Sequence, residues 1–460
     1  MEVELPQTIE ECHGLIRHLL SVIETLQAKI DELEARVNEN SQNSNRPPSS
    51  DGFNKPKPAF SKKKGRRGGQ LRHPGKTLQM VDEPDVVVDC EPESCSCAAA
   101  SFVGEAEILD SRQVFDLPEP RLEVVEYRRL KRQCQCGEMV CGKFPEEVLA
   151  PVQYGVKVQA MVSLLSVYGC LSHRKIGQLF GDLYGYQLNE ATTQELVKRS
   201  AEKMPMAEIK GAISQSAVVN FDETGIREAG KLQWLHNAST ALLTYQFVHP
   251  KRGGEAMHSA ESILSAFKGV GVHDCWGSYF GFSEMQHAIC NAHILRELAG
   301  IIETGESKWG KEMKELLLEM YEKSDQGKGI IAEIGEYEKR YEAIIRAGQQ
   351  EEPMPKKSHG RGKWKRTKGR NLLERLSKYA DSVLRFGKLE EVPFTNNQAE
   401  RDIRPVKVKQ KVSGGFRSQS GSRSYTRIYS FISTMRKMKR QVFQELRSVI
   451  EGKPFVLFLT

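Results

Sequence analysis

Three acidic residues stand where carboxylates from separate elements of the fold could meet. Asp222 closes a short β-branched apolar run, and Asp274 closes a second strand-like run. Glu400 falls in the first turn of a helix that we predict to be capped near Thr395 or Asn396. An aspartate that ends a strand is more often a turn former, but hard divalent cations take carboxylate ligands from separate elements. We therefore select the three acids as candidate ligands of a pair of divalent metal ions.

Alternating and helical patterns around these acids predict the elements that position them. Strand-like runs lie before Asp222 and Asp274, and a hairpin-like pair lies between them. The predicted strands are 217–221, 232–237, 241–248 and 271–273, and the predicted helices are 255–267 and one that contains Cys290-Asn-Ala-His293. Cys290 and His293, three residues apart on that helix, could bind a metal ion, but no second pair is evident, so we favour a structural role beside the site. Mixed strands followed by helices indicate an α/β or α+β layer fold.

The segment between the second aspartate and the glutamate has a different character. Residues 308–323 and 330–347 predict two charged amphipathic helices, followed by a basic loop at 356–370 that contains Trp364. Pro405 is predicted to end or kink the Glu400 helix at Arg404. Beyond it, 414–418 indicates a mobile loop and 425–450 a closing helix.

The N-terminal residues repeat apolar side chains at alternating spacings of three and four from Ile9 to Val37. Ile or Val at the first heptad position and Leu at most of the fourth positions favour a parallel two-stranded coiled coil. The alternative is one amphipathic helix packed on its own domain. The polar stretch that follows offers no core, so we predict a homodimerisation helix. The helical residues 172–180 and 190–199 flank a glycine-containing turn and resemble a helix-turn-helix.

The cysteines are crowded into one part of the chain. Of ten cysteines, those at Cys95, Cys97, Cys134 and Cys136 form two tight pairs, separated by the strand-like residues 113–127. Paired thiolates on two turns can make a tetrahedral Zn²⁺ site that stabilises a small β module. Their spacing differs from the common C-x-x-C, and Cys90 or Cys141 could replace a member. A vestigial ribbon with free thiols is the alternative.

Basic residues form local clusters although the net charge is only +7, from 67 Lys and Arg against 60 Asp and Glu. Such clusters without acids suit the phosphates of DNA, and Trp364 could stack on a base; a solvated charge run is the alternative. The candidate DNA-binding residues are Lys62, Lys63, Lys64, Arg66, Arg67, Lys363, Trp364, Lys365, Arg366, Arg401, Arg404 and Lys407.

Length and composition restrict the class of protein. A chain of 460 residues has room for several domains. No apolar run reaches the length of a membrane helix, and the Met1-Glu-Val-Glu start lacks the pattern of a signal peptide. We therefore predict a cytoplasmic protein of bacterial type.

A series of motifs resembles the large Asp-Asp-Glu (DDE) transposases of the insertion sequence sixty-six family. The motifs are Arg67-Gly-Gly-Gln70, Gly75-Lys-Thr-Leu78, Cys134-Gln-Cys136-Gly137, Pro151-Val-Gln-Tyr-Gly155, Asp222-Glu-Thr-Gly225, Cys290-Asn-Ala-His293, Asn397-Gln-Ala-Glu-Arg-Asp-Ile-Arg-Pro405 and Ser413-Gly-Gly-Phe-Arg417. The resemblance implies an RNase H-like catalytic core with a helical insertion. It also implies the catalytic triad Asp222, Asp274 and Glu400, and suggests accessory proteins encoded by the same element.

The resulting fold prediction is a multidomain α/β protein, with an N-terminal coiled coil and a small zinc-ribbon-like module before the RNase H-like core. The predicted segments are the coiled coil (1–40), a basic flexible linker (41–80), the zinc-binding module (81–148), a helical region with the candidate helix-turn-helix (149–211), the first part of the core (212–304), the helical insertion with its basic loop (305–392), and the last part of the core with a C-terminal helix (393–460).

The predicted function is metal-dependent cleavage and joining of DNA strands at the ends of an insertion sequence and at a target DNA. The triad would hold Mg²⁺ or Mn²⁺, and the cysteines a structural Zn²⁺. Two alternatives remain open: a dimeric zinc-containing DNA-binding regulator with an inactive nuclease-like core, and an RNase H-like nuclease without strand transfer.

Overall fold

A computed structural model describes residues 8–44, 78–91, 104–305, 307–327, 329–354 and 366–457. Internal contacts divide the chain into two units, one formed by 61–144 with 180–186 and the other by the rest.

The helices are α1 (Ile9–Val37), α2 (Val156–Val167), α3 (His173–Tyr184), α4 (Glu190–Lys203), α5 (Met206–Ser214), α6 (Gly254–Met257), α7 (Asn291–Thr304), α8 (Lys308–Lys323), α9 (Ile334–Glu351), α10 (Lys368–Lys378), α11 (Ala380–Leu384), α12 (Asn397–Ser413), α13 (Gln419–Lys437) and α14 (Val442–Ile450). The strands are β1 (Lys131–Gln133), β2 (Met139–Cys141), β3 (Val218–Glu228), β4 (Lys231–Ser239), β5 (Thr244–His249), β6 (Val270–His273) and β7 (Gln286–Ile289).

The larger unit contains a five-stranded mixed sheet in the order β5-β4-β3-β6-β7. Strands β3, β4 and β5 are antiparallel neighbours, whereas β6 and β7 extend the sheet in parallel from β3. Ala229 and Gly230 join β3 to β4 in a tight turn, and both have positive φ, +47° and +78°. That turn geometry matches the twist of the two strands.

Helices cover the sheet and share an apolar cluster with two of its strands. Helix α12 packs on β3 and β4, and α13 packs along β5. The α8–α10 region, which lies within the predicted insertion, contributes Trp309, Met313 and Tyr341 to one buried cluster with residues of β6 and β7. The prediction of helix 308–323 is confirmed to the residue by α8.

Several sequence predictions in this unit are wrong. The predicted strand 217–221 does not end at Asp222, because β4 pairs with β3 from Asn220 to Glu228 and the strand continues through the acid. The predicted helix 255–267 is reduced to α6 and turns, where the Ser262 hydroxyl accepts a hydrogen bond from the Leu264 N–H and competes with helical pairing. Strand β7 had no counterpart in the prediction.

The C-terminal region also departs from the prediction. Of the two predicted effects of Pro405, an end or a kink at Arg404, the end is wrong, because α12 runs through the proline to Ser413. The predicted closing helix 425–450 is divided into α13 and α14, with Lys439 at φ +57° between them. The loop 414–418 is bound to the end of β3, since Phe416 N–H donates to the Arg227 carbonyl oxygen (2.8 Å).

Helix α1 occupies the predicted heptad region and leaves its apolar seam exposed; Ile23 is 58% and Leu26 54% exposed. The chain after it docks on the same unit, where Asn43 Nδ2 donates to Glu303 Oε2 (2.7 Å) and Lys368 pairs with Glu39 (2.6 Å). Among the residues described, we find no helix with the length and apolarity needed to cross a membrane.

The smaller unit contains the β1–β2 hairpin, paired from Lys131↔Cys141 to Gln133↔Met139. The strand-like residues 113–127 are all described and form no strand, so that prediction is wrong. Apolar side chains there, including Val114 and Leu117, are exposed. An alternating sequence forms a strand where its apolar side chains can pack on a neighbouring strand or a core, and these side chains do not.

Candidate active site

Sheet register places the two aspartates side by side. Strands β3 and β6 run parallel, and their register pairs Val218 with Val270 and Asn220 with Val272. Asp222 and Asp274 each lie two residues beyond that last pair. Counted from that pair, the two acids occupy matching positions, and they lie near enough for the charge of Asp274 to raise the pKa of Asp222. The structure thus brings together residues that are distant in sequence.

Glu400 approaches Asp222 from α12, near enough for its charge to raise the Asp222 pKa, and the start of α12 is fixed by Asn396. The Asn396 side chain does not cap the helix; its Nδ2 donates to the Phe221 carbonyl oxygen (2.7 Å), and its Oδ1 accepts from Asn220 Nδ2 (2.9 Å). The Asn396 backbone N–H also donates to Cys290 Sγ (3.1 Å). The N-terminus of α12 is therefore attached to the strand that carries Asp222.

Asp222 lies in an environment that disfavours its ionised carboxylate. Burial raises the pKa of Asp222 well above its usual range, and the negative charges of Glu223, Asp274 and Glu400 raise it further. The Glu223 N–H, which donates to Asp222 Oδ1 (2.8 Å), acts in the opposite direction and lowers the Asp222 pKa. Within the described part of the chain, no three His, Cys, Asp or Glu residues are grouped closely enough to count as a metal-binding cluster.

Two cationic groups on α7 approach Glu400. His293 Nε2 and Arg296 both lie 3.9 Å from Glu400 Oε1. Burial lowers the pKa of His293, but the neighbouring Cys290 and Glu400 outweigh it and raise the value to about 9. Burial raises the pKa of Cys290, whereas His293 and the Asn396 N–H lower it. The second effect is larger, so the pKa of Cys290 lies below its usual value. Cys290 and His293 thus lie beside the carboxylates, where sequence analysis expected a structural role.

Two buried acids at this sheet were missed by sequence analysis. Glu223, next to Asp222, accepts hydrogen bonds from Arg252 and Tyr279 on the opposite sheet face. Asp402, two residues after Glu400, forms a buried ion pair with Lys437 (2.7 Å). Their closeness in sequence to Asp222 and Glu400 could have marked Glu223 and Asp402 as candidates. Nothing in the sequence indicated which residues they would pair with.

The candidate DNA-binding residues have different settings. Arg401 and Arg404 are exposed on α12 beside Glu400, whereas the Lys407 ammonium donates to the Gly225 carbonyl oxygen. Arg366 pairs with Glu374. Lys62, Lys63, Lys64, Arg66, Arg67, Lys363, Trp364 and Lys365 lie outside the described residues.

One of the predicted cysteine pairs forms a tight turn. Cys134 N–H donates to Glu138 O (2.7 Å), Gly137 N–H donates to Cys134 O (2.9 Å), and Gly137 has φ +93°. The backbone of Cys136 and its thiol lower the pKa of Cys134 through hydrogen bonds. Cys95 and Cys97 lie outside the described residues.

Comparison with known proteins agrees with the fold. A family model described as "Transposase IS66 family" matches residues 151–424, which is more than half of the chain. The mixed sheet with its many helices is compatible with a transposase core. The chain belongs to the IS66 family of transposases. A second model, "Family of unknown function (DUF6444)", matches residues 2–79, and a search of curated proteins found no match.

Proposed function

We propose that this transposase cleaves and joins DNA strands with the carboxylates of Asp222, Asp274 and Glu400. One observation carries the proposal. The β3–β6 register and the Asn396 attachment gather three acids from three elements, closely enough for Asp274 and Glu400 to raise the pKa of Asp222. Concentrated negative charge of this kind is destabilising for the protein alone, and it is a common feature of functional sites.

The fold assignment we propose for this core is RNase H-like. The order β5-β4-β3-β6-β7 joins three antiparallel strands to two parallel ones. One aspartate lies on the central strand, the second follows its parallel neighbour, and the glutamate lies on a later helix. Helices α8–α10 come between the second aspartate and the glutamate and correspond to the helical insertion.

The donor set fits divalent metal ions. Carboxylate oxygens are the preferred ligands of Mg²⁺ and Mn²⁺, and a cation would offset the repulsion that raises the pKa of Asp222. Asp222, Asp274 and Glu400 would hold the ions. When bound, they would supply activation of a water or a DNA 3′-hydroxyl and stabilisation of the leaving oxygen.

The protein's own residues have separate tasks in this proposal. Arg401 and Arg404 bind the DNA backbone next to Glu400, together with Arg366 and the basic residues outside the described ranges, whereas the Lys407 ammonium is held by the Gly225 carbonyl oxygen. His293 and Arg296 orient the Glu400 carboxylate through the 3.9 Å contacts. Helix α1 pairs with α1 of a second copy, and the cysteine pairs hold a structural Zn²⁺.

The test is strand cleavage and joining on a labelled duplex that carries the element's own end, with a target duplex added. We expect products with Mg²⁺, none with EDTA, and none from the Glu400→Gln variant, which should still bind the duplex. Glu255→Gln, at an exposed acid on α6, is the matched control and should remain active. Cleavage that survives in Glu400→Gln would overturn the triad.

The same reaction separates the two rival functions. Cleavage without joining, when a 3′-hydroxyl end and a target are both present, would identify a nuclease without strand transfer. Specific binding with no product under any metal condition would instead support a DNA-binding regulator, whose carboxylates could be replaced without loss of its function.

A further inference from the structure

Glu223 connects two loops on the sheet face opposite Asp222. It follows Asp222 on β3, so its side chain points to the other face. Its Oε1 accepts from Arg252 Nε (2.8 Å), and its Oε2 accepts from the Tyr279 hydroxyl (2.6 Å). Arg252 belongs to the loop after β5, and Tyr279 to the short 3-10 helix Gly277–Gly281 after β6. The Glu223 side chain is only 1% exposed, so it is removed from solvent.

Two tryptophans hold the Arg252 guanidinium in place. Its central carbon lies 5.0 Å from the ring centre of Trp234 on β4 and 4.2 Å from that of Trp276. A planar guanidinium can stack on aromatic rings and donate to a carboxylate at once, which an ammonium cannot do in the same way. Arg252 thus joins β3, β4 and the loop after β6 through one side chain.

Asp274 depends on this loop for its position. Parallel pairing between β3 and β6 ends at Asn220↔Val272, and the next residue after Asp274, Cys275, has φ +72°. The acid therefore lies beyond the ladder, at a sharp change of chain direction. Its Oδ1 accepts from the Trp276 N–H (3.0 Å), and Trp276 is the residue that stacks on Arg252.

We propose that Glu223, Arg252 and Tyr279 form a clamp that fixes the loop of Asp274 against β3 and so sets the spacing between Asp274 and Asp222. The clamp residues are positioning residues, since they lie on the opposite sheet face and act through the backbone of β3 and the Asp274–Trp276 turn. The inference rests on the proposed function, because the spacing matters for a shared divalent ion.

The mechanism follows from how carboxylates bind a metal ion. A divalent cation binds its ligands only within a narrow range of distances. If the loop that carries Asp274 is free to shift, the affinity for the metal ion is the first property to fall. The pair joins a partly exposed arginine, 37% for Arg252, to the buried Glu223 carboxylate, so removing the arginine leaves a buried negative charge uncompensated. The clamp should therefore affect metal affinity more than DNA binding.

The test compares the full-length protein with Arg252→Lys, Arg252→Ala and Tyr279→Phe. Tyr279→Phe removes one hydroxyl and is the mildest change, so it tests the clamp even if Arg252→Ala does not fold. Calorimetric titration with Mn²⁺ alone should show about tenfold weaker binding in Arg252→Ala, with smaller losses in Arg252→Lys and Tyr279→Phe. The Mg²⁺ concentration for half-maximal cleavage should rise in the same order, with duplex affinity unchanged.

Arg340→Ala is the control, because it also removes an arginine that pairs with a glutamate. Arg340 forms a bidentate ion pair with Glu319 (3.0 and 2.7 Å) between α9 and α8. It should leave Mn²⁺ affinity unchanged. Wild-type Mn²⁺ affinity in all three clamp variants, or an equal loss in Arg340→Ala, overturns the clamp. A wild-type protein that binds Mn²⁺ but does not cleave DNA overturns the proposed function while the clamp still stands on the binding data.

Discussion

Asn396 donates its side-chain amide to the carbonyl oxygen of Phe221 at 2.7 Å, and so joins the first residue before the Glu400 helix to the residue before Asp222. The contact is buried, with Asn396 only 1% exposed. The Asn396 side chain therefore fixes the start of the Glu400 helix against the strand that carries Asp222.

Replacing Asn396 by Ala should lower the free energy of unfolding by about 2 kcal/mol, because it leaves the Phe221 carbonyl and the Asn220 amide without this buried partner. Denaturant unfolding measures the loss, and cleavage should fall more than duplex binding. Asn397→Ala, at the exposed neighbouring residue, is the control and should be close to wild type in stability. Equal stability in the two variants would show that the attachment is unimportant.

Arg401→Ala and Arg404→Ala should each weaken DNA binding and reduce the salt dependence of the affinity by about one unit in the log–log slope, as expected for one lost phosphate contact. Fluorescence anisotropy over a series of salt concentrations measures this slope. Lys407→Ala gives a contrasting case. Its ammonium bonds to Gly225, so we expect lower stability and a smaller change of slope. A full unit lost in Lys407→Ala would place its charge on the DNA instead.

Leu26→Glu should convert the protein from dimer to monomer, because it introduces a charge into the exposed apolar seam of α1. Light scattering coupled to size-exclusion chromatography gives the mass directly. Ser21→Glu adds the same charge on another side of the helix and should remain dimeric. If the wild-type chain is a monomer at micromolar concentration, the coiled-coil proposal is wrong.

The predicted zinc site should contain close to one Zn²⁺ per chain, measured by elemental analysis of protein purified without chelator. Cys134→Ser and Cys136→Ser should lower that content, since each removes a thiolate ligand. Cys12→Ser, on α1, is the matched control and should retain the metal. Zinc content that does not depend on Cys134 would assign the metal to other residues or to none.

Acid should destabilise the protein in part through His236. Burial lowers the pKa of His236 to about 4 from 6.5, so the unfolded chain binds the extra proton between these values. Stability from this residue is present above pH 6.5 and is lost as the pH falls toward 4, by at most about 3 kcal/mol. Unfolding measured across this window should be less pH-dependent in His236→Gln, which can still donate to the Lys251 carbonyl oxygen. An unchanged pH dependence would show that His236 is not buried as a neutral ring.

Elements with a long and strongly periodic pattern were predictable from the sequence. Helices α1 and α8 match their predicted ranges, because a repeated apolar face can be recognised without knowledge of its partner. Elements whose local structure depends on a distant residue were not predictable. Strand β3 continues past Asp222 because β4 pairs with it, and Pro405 is accommodated within a helix that packs on the sheet.

The sequence by itself was enough to select the three candidate acids, to recognise the apolar seam of α1 and to show the family resemblance. All three depend only on residue types and their spacing along the chain. Only the tertiary structure decided that Asp222 and Asp274 lie at matching positions beyond the paired residues of β3 and β6, and that Asn396 attaches the Glu400 helix to β3. Only the structure revealed Arg252 between Trp234 and Trp276, bound to Glu223. These contacts join residues far apart along the chain, and their register is fixed by sheet pairing and packing, which local sequence does not encode.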